Sequence, residues 1–380
     1  MILSLLKKIK FDKNELSGAF GDMGLSLPLI LGMIFSSNLN PTNVFIIFGI
    51  LLIFCGMFYG IPIPVQPLKV VGIITITRKL NSEVIYGGGL AIGVLMLIFT
   101  LTNILKLIFK IIPKNVIRGI QIGLGINLLI TSLKEFIFAD GFEGLILTLF
   151  LLPLNFFLIL NKKYPPGLIL ILIGLIYSLI FKLNPKEFFT NLNLNLPSFN
   201  KLNFDILNGL IILAFPQLPL SIGNSIFATY QSSKDLFPDK KITVNKLGFT
   251  YSIMNIISSF FGGIPVCHGV SGLIGHFTFG ARTGGATFIY GIFLILIGLF
   301  ISNKYIILKI FPLPILGVIL FIESIMLIYL SKDITKNKFD FFIATLISFL
   351  IVISNYGYLL GILIGVLLNY LIKKFYVKNE

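Results

Sequence analysis

Charge is scarce in this chain. Only 12% of its 380 residues are Asp, Glu, Lys or Arg, and acids number 15 against 30 bases. An ordinary soluble domain is about a quarter charged. Cysteine and histidine are scarcer, at two each. Cys55 and Cys267 both lie in apolar contexts, which gives neither a disulfide framework nor metal-ligand spacing. His268 and His276 are eight residues apart with no carboxylate nearby, which argues against a metal site. There is no G-x-x-x-x-G-K-[ST] run, so ATP is not the expected drive. Long polar stretches are also missing. The longest, 183–205 and 231–246, are too short for a soluble domain. The apolar start is followed by Lys7, Lys8, Lys10 and Lys13 without a small-residue cleavage site, so it does not read as a cleavable signal peptide.

What remains is apolar. Hydrophobic residues make up 56% of the chain, with a mean hydropathy of +0.99. Apolar runs of 18 or more recur along the length, which predicts an all-α polytopic membrane protein. Fourteen segments are predicted, seven in each half. The first half has 15–35, 41–60, 62–78, 83–109, 112–133, 140–160 and 165–182. The second has 205–230, 242–262, 265–280, 283–302, 304–331, 337–354 and 356–375. With the N-terminus in the cytoplasm, 21 Lys and Arg fall on the cytoplasmic side and 8 on the other. That bias follows the positive-inside rule and puts both termini inside a plasma or inner membrane. The net charge of +15 is therefore topological, with some attraction to anionic lipid, and no nucleic-acid partner is expected.

The halves resemble each other. Ala19-Phe20 opens a polar, Pro-containing stretch (GAFGDMGLSLP), and Ala214-Phe215 opens another (LAFPQLPLSIGN) 195 residues later. Gly60-Ile61-Pro62 recurs 203 residues on as Gly263-Ile264-Pro265. Pro113 before Arg118-Gly119 is matched by Pro312 before Leu316-Gly317. Residues 1–183 and 205–380 are thus read as two repeats joined by a loop at 184–204. An odd number of spans per repeat makes the repeat inverted, with a substrate site expected near the midplane.

Two segments are too polar and too interrupted for lipid-facing helices: FYGIPIPVQPLKVVG at 58–72 and FGGIPVCHGVSGLIGHFTFGARTGG at 261–285. Pro62, Pro64 and Pro67 forbid a continuous helix, so segments 3 and 10 are read as broken half-helices. One is expected to start near Pro67 and the other near His268-Gly269. Each would present free N–H groups and partial positive charge, so two facing N-termini make an anion site from backbone alone. Gln66, His268 and Ser271 are candidate donors at the breaks, and Gly269 permits close approach. Gln217, Ser221 and Asn224 fall on one helical face of segment 8 and read as site lining. Asp22 is an intramembrane acid, read either as a proton carrier or as a structural hydrogen-bond acceptor. Lys69 is read as paired with an acid such as Asp22 in preference to facing the substrate. Glu323 is read as structural and remote from the site.

Four motifs, ELSGAFGDMGLSLPL at 15–29, PVQPLK at 64–69, QLPLSIGNSI at 217–226 and GGIPVCHGVSGLIGHFTFGARTGG at 262–285, resemble molybdate transporters related to the sulfate permeases. They span both halves. The resemblance implies a uracil-permease-type fold, with segments 1–4 and 8–11 as core and 5–7 and 12–14 as gate. It implies uptake of molybdate, with Gln66, Gln217, Asn224 and His268 at the substrate-lining motifs. The chain ends at Glu380 without the regulatory domain of the broader sulfate-permease pattern, as expected of the molybdate branch. The function expected is a secondary transporter that imports molybdate by alternating access. It is not expected to be an enzyme and needs no cofactor. A coupling proton or other ion and a homodimer remain open. A sulfate or tungstate carrier on the same scaffold and an anion channel are the alternatives. A nucleobase permease would place acids where Gln217 and His268 stand. A membrane enzyme would need an acid to orient Cys267-His268.

Overall fold

A computed structural model of the chain describes residues 9–377, except 106, 108–112, 162–165, 185, 187–189, 191, 192, 199–201, 302, 355 and 356. Of the charges used to orient the chain, Lys7, Lys8, Lys106, Lys110, Lys162, Lys163, Lys201 and Lys378 lie outside the described residues. The described structure is helical apart from one pair of two-residue strands.

In the first half the helices are α1 (Lys13–Ala19), α2 (Met23–Ser36), α3 (Pro41–Tyr59), α4 (Lys69–Arg78), α5 (Ser82–Leu101), α6 (Lys114–Ile137), α7 (Gly141–Asn161) and α8 (Pro166–Phe181). In the second half they are α9 (Ile206–Leu236), α10 (Val244–Phe260), α11 (Val270–Thr278), α12 (Gly285–Phe300), α13 (Lys304–Ile310), α14 (Leu313–Ile334), α15 (Lys338–Ile353) and α16 (Gly357–Val377). Six of them, α3, α5, α6, α7, α9 and α14, are long and apolar enough to cross a membrane. A seventh span results if α1 and α2, bent by 44° at their junction, count as one. The protein is an integral membrane protein.

Local chemistry explains the breaks. Helix α3 starts on an Asn40 cap with Pro41 in its first turn, and ends at Gly60, whose φ of 66° suits only glycine well. Just beyond α10, Gly262 takes the same left-handed conformation, with φ 72°. After each glycine the chain runs extended before the next helix begins. Strand β1 (Gln66–Pro67) and strand β2 (Val266–Cys267) then pair antiparallel, Gln66 opposite Cys267 and Pro67 opposite Val266. Pro67 is therefore a strand residue and not the first residue of a helix. Leu68 caps α4 in extended conformation, and its N–H donates to Pro265 O at 3.0 Å.

Helix α9 is not a regular α-helix. Its stretches Gly209–Ala214 and Ser221–Ala228 are π-helical, on either side of the α-turn Phe215–Leu220 that holds Pro216 and Pro219. A proline lacks the N–H that closes an α-turn, and π-bulges absorb the mismatch. The region expected as one segment at 304–331 is divided at Pro312 into α13 and α14.

The closest helix pairs are α3 on α12, α5 on α10, α6 on α14 and α15, and α15 on α16. These sets of pairs are joined where α2 touches α14 and α8, α4 touches α6, and α9 touches α6 and α16.

Candidate functional site

The β1–β2 pair sits at the starts of α4 and α11, and the polar residues of the chain converge there. The crossing is held by buried side chains. Asn255 grips Val266 from both sides: its Nδ2 donates to Val266 O at 2.7 Å and its Oδ1 accepts from Val266 N at 2.9 Å. Ser258 Oγ donates to Ile264 O at 2.6 Å. His268 is fully buried, with Nε2 at 2.8 Å from Thr250 Oγ1 and Nδ1 at 3.2 Å from Pro64 O. A carbonyl only accepts, so Nδ1 carries a proton; in the neutral ring Nε2 is then the acceptor that faces the Thr250 hydroxyl. Tyr59 OH, 2.6 Å from Thr250 Oγ1, completes the chain. His268 was expected as a donor at the mouth of a half-helix. Both of its ring nitrogens instead face protein partners, and the ring ties the first break to the second.

Gln66 takes the place next to α11. Its Oε1 would lie 1.4 Å from a Cβ placed on Gly269, the residue that caps this helix. Only a glycine leaves room for the amide there. Gln66 Nε2 donates to Asp22 Oδ1, and the Ser271 Oγ lies 3.4 Å from Nε2 and 3.5 Å from Oε1. Asp22 is fully buried at the bend between α1 and α2, and its Oδ2 has no partner among the described residues. Its Oδ1 would lie 2.7 Å from a Cβ on Gly272, so the acid also lies against the first turn of α11.

Gln217 serves α4 in a related way. Its Oε1 accepts from Val70 N at 2.9 Å, in the first turn of that helix. Its Nε2 donates to Ser221 Oγ at 3.0 Å, which lies 2.6 Å from Tyr251 OH. Gln217 and Ser221 thus share a face, as their spacing predicts. Asn224 lies in the π-helical turns that begin at Ser221 and is half-buried; its backbone carbonyl accepts from Thr229 Oγ1 at 3.2 Å.

Lys69 opens α4 and pairs with Glu323 of α14, not with Asp22. Glu323 is therefore at the site and not remote from it. Position along the repeat does not show this, because α14 packs on α2 beside the start of α4. Gln66, Pro67, Lys69 and Glu323 line a cavity of about 20 Å³ with Gly24, Pro28 and Ile319 among the walls. A void of roughly 10–15 Å³ suffices to hold one water. In this conformation the cavity is water-sized and too small for four oxygens around a central atom.

Sequence reasoning missed Asn255, Thr250, Tyr251 and Glu323. The first three lie on α10 at helical spacing, a polar stripe (Thr250, Tyr251, Asn255, Ser258) in an apolar segment, which was the available signal. Glu15, in the first motif, is buried and accepts from Arg282 N and Thr283 N at 2.8 Å each and from Ala286 N at 2.9 Å. A carboxylate at the N-terminus of α12 is well placed against the helix dipole.

Comparison with known proteins rests on the same regions. The family described as "Molybdate transporter of MFS superfamily" matches residues 14–128 and 209–327. The chain belongs to this molybdate transporter family. Asp22, Gln66, Lys69, Gln217, His268, Ser271 and Glu323 all lie inside the matched regions. Molybdate transporter 2 of Arabidopsis thaliana is 31% identical over 413 residues, covering 95% of this chain and 87% of that protein. Molybdate transporter 1 of the same plant is 27% identical, covering 93% and 88%. Among solved structures, the transmembrane domain of the cyanobacterial bicarbonate transporter BicA superposes with a TM-score of 0.63 at 19% identity, over 94% of this chain and 96% of that one. Murine Solute Carrier 26 family member A9 in its inward-facing state gives 0.69 at 15% identity, over 98% and 70%. At these identities the structures establish a shared fold. The family is one of transporters.

Proposed function

We propose that the chain is a secondary transporter that imports molybdate by alternating access, with the oxyanion held between the N-termini of α4 and α11. The observation that carries this reading is the pairing of β1 with β2. It brings two helix starts together beside Gln66 and Ser271 and leaves Lys69 as the nearby cation. Backbone N–H groups and a helix dipole at each start favour an anion. Helices of ten and nine residues are about 15 Å long at 1.5 Å per residue, half of a roughly 30 Å hydrocarbon layer. Their starts would therefore lie near the midplane.

The fourteen-segment inverted repeat is part of the same proposal. Its support is a reciprocal pattern: α3 on α12 and α5 on α10 exchange under the two-fold that exchanges β1 with β2. The group containing α1–α5 and α9–α12 would be the core that carries the anion. The group of α6–α8 and α13–α16 would be the gate. Gln66, Gly269 and Ser271 would contact the anion. Gln217, Ser221 and His268 would hold the helix starts in place. Asp22, buried and with no partner for its Oδ2 among the described residues, is the candidate for a coupling proton. The termini would be cytoplasmic.

Labelled molybdate uptake into proteoliposomes, with sulfate, tungstate and uracil as competitors, tests the reading. Saturable uptake displaced by tungstate and not by uracil is expected. Sulfate displacing molybdate at equal concentration would make the protein a general dianion carrier. Conductance without saturable counterflow would make it a channel.

A further inference from the structure

The charges at this site leave no free cation for its proposed guest. Asp22, Lys69 and Glu323 gather at one place, two acids and one base. Even with Asp22 protonated, Glu323 cancels the charge of Lys69, so a dianion finds no net positive charge there. Something must change before an oxyanion can use Lys69.

Glu323 is the group placed to move. Asp22 is enclosed at the bend of α1 and α2 and bound to Gln66. Glu323 belongs to the other group of helices and reaches Lys69 across the boundary, with side chains 14% and 20% exposed. It also lines two neighbouring cavities. One is the cavity of about 20 Å³ beside Gln66 and Lys69. The other, of about 120 Å³, is lined by Gly21, Asn155, Gly167, Ile322 and Glu323. Gly24, Ile319 and Glu323 border both. A carboxylate that leaves Lys69 has a larger, partly polar space to turn into, with the Asn155 amide on its wall.

Resting on the oxyanion reading above, we propose that Glu323 is a tethered competitor anion. Paired with Lys69 it shuts the cavity, neutralises the cation and latches the two helix groups. A tetrahedral oxyanion takes its place on Lys69, and the displaced carboxylate turns toward the Asn155 cavity and releases the latch. Release of the substrate lets Glu323 return, so that Lys69 is never left unpaired in the low-dielectric interior.

The sign of one measurement separates this from a merely structural ion pair. Equilibrium binding of labelled molybdate would be measured on the purified full-length protein. An internal competitor divides the intrinsic Kd by the fraction of open sites, so a latch closed about 90% of the time weakens binding about tenfold. Glu323→Gln is therefore expected to bind molybdate about tenfold more tightly than the wild type. Glu323→Asp, one methylene shorter, is expected to fall between the two, and serves if the Gln variant does not fold. A Kd unchanged or weaker in Glu323→Gln, or in Glu323→Asp where only that variant folds, overturns the proposal. The oxyanion reading itself is judged separately. Lys69→Met and Gln66→Ala must each lose binding whatever Glu323→Gln does, and wild-type affinity in both would remove the site and with it the competitor.

Discussion

Adding one methyl group at position 269 tests the geometry of the site most directly. A Cβ on Gly269 would come within 1.4 Å of Gln66 Oε1 and 2.4 Å of its Cδ. Both are side-chain atoms, so the Gln66 amide must move while the backbone stays. Gly269 has an extended backbone with φ −89°, so alanine itself brings no strain. The cost arises from what Gln66 leaves behind. Its Nε2 donates to the buried Asp22 carboxylate, whose second oxygen already has no partner among the described residues. A hydrogen bond to a charged group is worth about 1.5–3 kcal/mol. At about 1.4 kcal/mol per tenfold, that corresponds to roughly 10- to 150-fold in an equilibrium constant. Gly269→Ala is therefore expected to weaken molybdate binding about 10- to 150-fold and to lower thermal stability. The assay is equilibrium binding with a thermal melt on the same preparation. A double-mutant cycle isolates the cause. In a Gln66→Ala background the methyl group has nothing to displace, so Gly269→Ala should add little there. Wild-type affinity and melting temperature in Gly269→Ala would show that Gln66 does not lie across this helix start, and the reasoning would fail. Additive losses in the double variant would fail it too.

Gln217→Leu removes the acceptor of Val70 N and the donor to Ser221, and is expected to cost about 1–3 kcal/mol of stability along with transport, read by melting and by uptake. Thr250→Val breaks the chain from Tyr59 to His268; it should lower the melting temperature while changing molybdate Kd less than Gln66→Ala does, and the reverse ranking would return His268 to the substrate. Asp22→Asn keeps an acceptor for Gln66 and removes the titrating group; if this acid carries the coupling proton, uptake by the variant becomes independent of an imposed pH gradient, and unchanged coupling excludes the role.

Much of this molecule was legible in the sequence because lipid imposes a simple code. A chain that must satisfy every backbone group within a bilayer forms apolar helices, and their lengths can be counted. Proline and glycine mark the two places where that code breaks, and β1 and β2 lie there. Gln66, Gln217 and Ser221 stood out because polar side chains are costly in such surroundings, and the structure gives each a partner. The motifs around them also pointed to the molybdate transporter family, to which the comparisons assign the chain.

Partners were not legible in the same way. The sequence alone determined that the chain is a polytopic helical membrane protein and marked two stretches rich in proline and glycine, since hydropathy and the missing N–H of proline act locally. Only the tertiary structure decided which groups meet. It turned the ring nitrogens of His268 to Thr250 and Pro64, wound the backbone after Ser221 into a π-helix, and gave Lys69 to Glu323 of α14. These outcomes depend on how one helix packs against another distant in sequence. Local periodicity carries no record of that, because a polar residue looks the same in sequence whichever neighbour its hydrogen bond finds.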